Sequence, residues 1–565
     1  MALSLFFAPA TIVSGHPVTN PKVFANLVLV NAKIWTVDGD HPEVEALAAW
    51  QGRILAVGTN AEMRALAGPK TVVLDGKGRR VLPGLHDSHL HLLGGGLRLN
   101  QVALKDAKDL NEFGQRLTEF DQKLPRHRWI TGGGWDHDRT LAGKLPSAAD
   151  IDRFVADRPV FLRRYDGHMA LANSKALSLA NISAGTADPA GGQIDREPGT
   201  NRVTGILRDN AMALVEAIIP KPDEAEIIEG VRGALAAMRQ AGITSCADME
   251  GSATPVRRIL LRVYQQMARA GELMCRVEVR LPIAEWKELA ALPIQANFGN
   301  DYFRIGGVKG YMDGSLGSNT AKMFAPYLND PNTTGLFVTS RDQMLEYVQD
   351  CDRAGLSIAV HAIGDEANAA MLDICDAVRN SNGPRDRRIR IEHSQHLRPQ
   401  DIPRFRELGV IASMQPYHVV DDGRWAEGRI GAARCASSYA FRSLLDSGAK
   451  LALGSDWPIA PVNPFLGIDA AVNRRTIDGK HPDGWFPEQR ITVREAIEGY
   501  TLGAAYASFQ EKERGSVSPG KYADFVILSH DILDPALRNV IGSTQVVATV
   551  VGGKIVHDAR PASDR

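Results

Sequence analysis

Cysteine, aromatic residues and net charge are all in short supply in this chain of 565 residues. Its five cysteines (Cys246, Cys275, Cys351, Cys375 and Cys435) are odd in number, widely separated and never in a Cys-x-x-Cys pair. That spacing excludes a disulfide framework and a zinc ribbon. Several lie in apolar runs, where a thiol serves as a small buried hydrophobe. Net charge is −1, from 65 basic against 66 acidic residues, so nothing electrostatic draws the chain to nucleic acid or to an anionic membrane. There is no internal repeat, long charge block or low-complexity tract. No segment is long and apolar enough to span a bilayer. The stretch from Ala2 to Ala10 looks like the end of a signal with a small-residue cleavage site, but it lacks the positive n-region. Residues 1–24 therefore read as an arm or the remnant of a signal. A cytoplasmic location is expected, with export as the alternative.

What the chain has is length, a hydrophobic content of 44% and a charged content of 23%, ordinary for a soluble enzyme with one large domain and appendages. Its most informative segment is Leu82-Pro83-Gly84-Leu85-His86-Asp87-Ser88-His89-Leu90-His91. This reads as a short apolar strand ending in His-x-His. Positions i and i+2 of a strand share a face, so His89 and His91 form half of a divalent-metal site. Alone, such a pair is more often a surface or packed feature. Four further strand-like runs also end in chemistry-bearing residues: Phe303 to Lys309, Leu356 to His361, Ile389 to His393 and Leu451 to Asp456. Each has a bland reading: a solvated strand-end lysine, two hydrogen-bonded core histidines and a helix N-cap aspartate. All of these holding together at successive strand ends is the less economical account.

These runs belong to a βα series. Ser340-Arg341-Asp342-Gln343 reads as a capping box opening a helix that ends near Gly355. Further helices are predicted over Glu366 to Arg379, Asp401 to Leu408 and Arg442 to Ser447. The strands between them are apolar without alternation, the mark of a parallel sheet covered on both faces. Strands near Ile243 to Asp248, Val277 to Leu281 and Val410 to Gln415 bring the count to eight. The predicted fold is an α/β TIM (β/α)8 barrel over residues 83–507, with its site at the strand C-termini. The connection from Leu92 to Gly242 is too long for one βα loop, so residues 98–225 are read as an inserted lid subdomain. Residues 25–82 and 508–560 are strand-and-turn rich. Neither half can bury both faces alone, and together they predict one small β-sandwich.

The order His-x-His, Lys, His, His, Asp resembles the amidohydrolase superfamily. Trp135-Asp136, Asp166-Gly167-His168, Asn173 to Leu177, Gly205 to Arg208, Lys309 to Thr320, Arg390-Ile391-Glu392-His393 and Gln415-Pro416-Tyr417-His418 look like its family 3 branch, which includes N-substituted formamide deformylases. The likeness runs over essentially the whole chain from Ala25. It implies a metal centre of one or two divalent ions, zinc being the expected metal. His89, His91 and Asp456 would serve one ion, His361 and His393 the other, and a carbamate on Lys309 would bridge them. Asp456 is expected to act as general base, and His393 as a ligand that also helps to polarise the carbonyl. Trp135, His168, Asp313, Gln415, His418 and Trp457 are the expected substrate contacts. Tight turns for Asp166-Gly167 and Asp313-Gly314, and wall packing for Trp457, are the competing readings. The implied activity is hydrolysis of a carbon–nitrogen bond in a small amide or formamide. A cyclic amide, carbamate or ester hydrolase is the alternative, and a non-catalytic metal-binding regulator a more distant one. No nucleic acid or membrane partner is expected, and a homodimer is left open.

Overall fold

Every expected ligand lies on a strand of one parallel sheet or within three residues of a strand end. In the computed structural model, which describes residues 24–137, 141, 144–164, 169–189, 191–252 and 254–561, its strands are β1 (Leu85–Leu90), β2 (Ile243–Met249), β3 (Arg276–Pro282), β4 (Phe303–Tyr311), β5 (Ile358–Ala362), β6 (Arg390–His393), β7 (Ile411–Met414) and β8 (Lys450–Leu453). They lie side by side in chain order, all parallel. Nearly every residue in them is buried, as a sheet covered on both faces requires.

The barrel closes just beyond the ends of β1 and β8. Asp456 N–H donates to the His89 carbonyl at 2.7 Å, and His91 N–H donates to the Trp457 carbonyl at 2.8 Å. The buried Asp87 carboxylate accepts from Ser455 N–H at 2.9 Å and from Ser455 Oγ–H at 2.5 Å. The approach is so close that a Cβ on Gly454 would lie 2.6 Å from the His89 nitrogen. Only glycine fits there. This seam holds the His-x-His segment against Asp456.

The chain ends supply a two-layer appendage. Arg53–Gly58, Ala46–Trp50, Ala25–Val30 and Ala67–Asp75 form one sheet in that order. In the other, the C-terminal strand Phe525–Leu528 pairs antiparallel with Arg80–Pro83, which leads straight into β1. Leu27, Leu29, Leu47 and Leu74 from the first layer meet Val81, Phe525, Ile527 and Val550 from the second in one core. The composite β-sandwich thus anchors the start of β1.

The segment between β1 and β2 builds its own mixed six-stranded sheet, in the order Gly192–Arg196, Val203–Asp209, Met169–Ala172, Val160–Arg164, Ile130–Trp135, Val102–Ala103. Phe113, Leu117, Ile130, Trp135, Ile151 and Leu162 pack on one of its faces. All five cysteines are buried and unpaired, as small hydrophobes are. No helix among the described residues is long and apolar enough to cross a membrane. The signal-like stretch Ala2 to Ala10 lies outside the described residues.

Candidate metal centre

The strand ends converge at the C-terminal mouth of the barrel. Asp456 Oδ1 lies 3.4 Å from His89 Nε2 and 3.4 Å from His91 Nε2. Two ligands about 2.1 Å from one tetrahedral ion lie about 3.4 Å apart, so these atoms are spaced as a single zinc-sized ion requires. A second group shares the same aspartate: His393, His418 and Asp456 have ligand atoms within 4.8 Å of one another. His418 Nε2 is 3.7 Å from Asp456 Oδ2.

The tautomers are fixed from behind. His89 Nδ1–H donates to Glu392 Oε2 at 2.6 Å, which leaves Nε2 as a bare lone pair, buried and without a partner. His393 Nδ1–H donates to Gln415 Oε1 at 2.7 Å. His361 Nε2–H donates to the Gly314 carbonyl at 3.0 Å, so its free lone pair is on Nδ1. Outer carboxylates and carbonyls orient metal-binding histidines in this way. Glu392 is in turn gripped by Arg390, whose Nε–H donates to Oε1 at 2.7 Å, with both side chains fully buried. Burial works against ionisation of Glu392, but Arg390 and His89 outweigh it and hold the carboxyl well below its usual range.

Electrostatics keep the nitrogens available. Burial pushes the His89 imidazole down to about 4 and His361 down to about 3, with the Lys309 charge adding to both. At neutral pH they are bases with open lone pairs. Burial likewise brings the Lys309 ammonium down to about 8, against the pull of Glu392 and Asp456. Burial also opposes the charge on Asp456, yet the histidines around it hold its carboxyl well below the carboxylate range. Asp456 and His393 adopt left-handed backbone, with φ of 60° and 74°. For residues other than glycine that costs about 1–3 kcal/mol each, strain that gathers at functional sites. Neutral histidines, an ionised carboxylate and an unpartnered buried nitrogen are a donor set that fits a divalent cation.

A sequence model of the amidohydrolase family matches residues 72–557. The chain belongs to the amidohydrolase family. This amidohydrolase is 40% identical over 542 residues to protein LONG AFTER FAR-RED 3 of Arabidopsis thaliana, a match covering 95% of this chain and 92% of that one. It is 25% identical over 568 residues to the N-substituted formamide deformylase of Arthrobacter pascens, covering 94% and 98%. The crystal structure of an uncharacterized metal-dependent hydrolase from Pyrococcus furiosus superposes with a TM-score of 0.74 at 32% identity, over 90% of this chain and all (100%) of that one. The chain is therefore a metal-dependent hydrolase of carbon–nitrogen bonds other than peptide bonds, working with a divalent cation.

Of the expected substrate contacts, five lie among the described residues. Trp135 is fully buried in the core of the amidohydrolase's inserted sheet, its indole N–H donating to the Leu162 carbonyl at 2.9 Å. Asp313 is spent on backbone N–H groups of Ile363, Gly364 and Lys322, at 3.0, 2.8 and 2.8 Å, which tie the loops after β4 and β5 together. Gln415 orients His393. The Trp457 ring packs against the helix Leu92–Leu99, where a Cβ on Gly95 would come within 2.3 Å of it. His418 joins the ligand cluster instead of the substrate wall, whereas His361 stands beside it, its ring centroid 4.6 Å from that of His393. His168 lies outside the described residues. Glu392, Arg390 and Asp87 were missed as positioning residues. For Glu392 the signal was its place one residue before His393, and its partner His89 is 303 positions away.

Proposed function

We propose that this amidohydrolase removes the acyl group from an N-substituted formamide or a related small amide at a zinc centre, with Asp456 as general base. The observation that carries the reading is the 3.4 Å spacing of Asp456 Oδ1 from both His89 Nε2 and His91 Nε2. His89, His91 and Asp456 would hold one ion, and His393 and His418 with Asp456 would hold a second. His361, with a bare Nδ1, stands beside this centre. With its ammonium brought down to about 8, Lys309 carries a neutral amine in roughly a tenth of molecules at pH 7, the form that can take up carbon dioxide as a carbamate. A divalent ion held by these residues would supply Lewis acidity for the scissile carbonyl and the attacking water. Asp456 takes the proton of the attacking water and returns it to the departing nitrogen. Likeness to a formamide deformylase supports the substrate class.

The test is a panel of N-substituted formamides, acylated amino acids, cyclic amides and esters, read by mass spectrometry with zinc-loaded and chelated enzyme. Formamides should be cleaved by the zinc-loaded form alone. Asp456→Asn should keep much of its zinc, since an amide oxygen still coordinates, and lose about 10²–10⁴-fold in turnover. Hydrolysis that persists in enzyme free of metal, or preference for esters over every amide, would refute the proposal.

A further inference from the structure

Tyr311 has no part in the mechanism above, yet its ring stands beside the centre, against His361 and Lys309. It ends β4 two positions after Lys309, so the strand period returns its side chain to the face that carries Lys309. In the ladder it pairs with His361, and His361 pairs with Glu392. Residues in one register row share a face of the sheet, which places the phenol in the row of two groups at the site. Its ring centroid is 5.5 Å from that of His361, and Lys309 Nζ is 4.8 Å from it. Unlike those neighbours, Tyr311 is 39% exposed and opens to the barrel mouth.

Several other polar groups around the centre are already committed. His89 is tied to Glu392, His393 to Gln415, His361 to Gly314 and Asp313 to three backbone N–H groups. Gln395 donates to Asp422 at 2.8 Å. The Tyr311 hydroxyl makes no hydrogen bond to any described residue. An uncommitted donor at the edge of a half-enclosed site, on a rigid strand end, is what a developing oxyanion requires.

We propose that Tyr311 is a further catalytic residue, donating a hydrogen bond to the substrate carbonyl oxygen as that oxygen becomes an oxyanion. This rests on the amide-hydrolase reading above. Water oxygen bonds to the carbonyl carbon, the carbonyl π pair moves onto its oxygen, and Asp456 takes the water proton. Collapse returns the pair to carbon and oxygen, breaks the C–N bond, and passes the Asp456 proton to nitrogen. The phenol keeps its proton throughout and contributes only the hydrogen bond.

Tyr311→Phe keeps the ring and removes the donor. The full-length variant, loaded with zinc, would be assayed on 4-nitroformanilide, which releases 4-nitroaniline. Binding of methylphosphonate, a tetrahedral oxyanion, would be measured beside it. Zinc content and thermal midpoint should match the wild type and KM should stay within about twofold. The value of kcat should drop about 10²–10³-fold, the usual cost of one oxyanion donor, and methylphosphonate should bind about tenfold more weakly. Values of kcat and methylphosphonate affinity within about threefold of wild type would overturn the proposal. So would loss of zinc or of fold, which would make the residue structural. If wild-type enzyme leaves every amide intact, the substrate reading fails by itself, and the methylphosphonate comparison still decides Tyr311.

Discussion

Glu392 does its work one bond behind the candidate ligands. It fixes which nitrogen of His89 faces the centre, and Arg390 keeps it ionised while doing so. Replacing it with glutamine preserves shape but removes the charge that holds the Nδ1–H tautomer. Glu392→Gln should therefore weaken zinc binding about 10–100-fold, measured by competition with a chromophoric chelator, while the fold survives. Unchanged zinc affinity would make Glu392 a packing residue. At this scale the sequence was legible where local geometry decides. His89 lies in β1 and His91 one residue past it, both with Nε2 3.4 Å from Asp456 Oδ1, and Asp456 and Lys309 end predicted strands. It was illegible where a partner lies hundreds of residues away, as for Glu392 and His89, or where burial decides, as for Trp135. An aromatic beside three glycines reads equally well as a pocket wall or a core anchor. Only the packing of Phe113, Ile151 and Leu162 around Trp135 separates the two.

Elements came through better than contacts. Strand runs without polar alternation marked the parallel barrel, and caps marked its helices. The helix predicted after Ser340 is Arg341–Arg353, with Ser340 accepting from Gln343 N–H. The box is only half formed, because the Gln343 amide turns outward to Glu346. The inserted sheet was not legible in its order. Its strands pair both parallel and antiparallel, a register set by the fold of the whole segment. The strand Ala67–Asp75 was missed as well, for it pairs parallel with Ala25–Val30 across an intervening run of strands and a helix. Trp135 is the anchor of the insertion, so Trp135→Ala should destabilise that subdomain by about 3–5 kcal/mol. Limited proteolysis should then cut within it while zinc content holds. A variant with wild-type protease resistance and altered substrate choice would return Trp135 to the pocket wall.

The molecule as a whole is tied together by its own two ends. Phe525–Leu528 pairs with the strand that feeds β1, and the neighbouring Asp524 carboxylate accepts from Arg276 of β3 at 2.7 and 2.9 Å. Both side chains are buried, and the guanidinium also covers the Tyr522 ring at 3.7 Å. Asp524→Ala would strand a buried charge, which costs about 3–5 kcal/mol. Denaturant melts should show the loss across barrel and sandwich together, and a melt unchanged from wild type would mean that the two fold independently. The composite sandwich was readable because neither terminal segment could cover itself. The seam between β1 and β8 was not readable, since it depends on Gly454 admitting the His-x-His backbone. That seam sets the spacing on which the functional account rests, and anomalous scattering at the zinc edge from zinc-loaded crystals measures it directly. The strongest peak should be bonded to His89 Nε2, His91 Nε2 and Asp456. Hydrolytically active crystals with no peak at those three residues would contradict it.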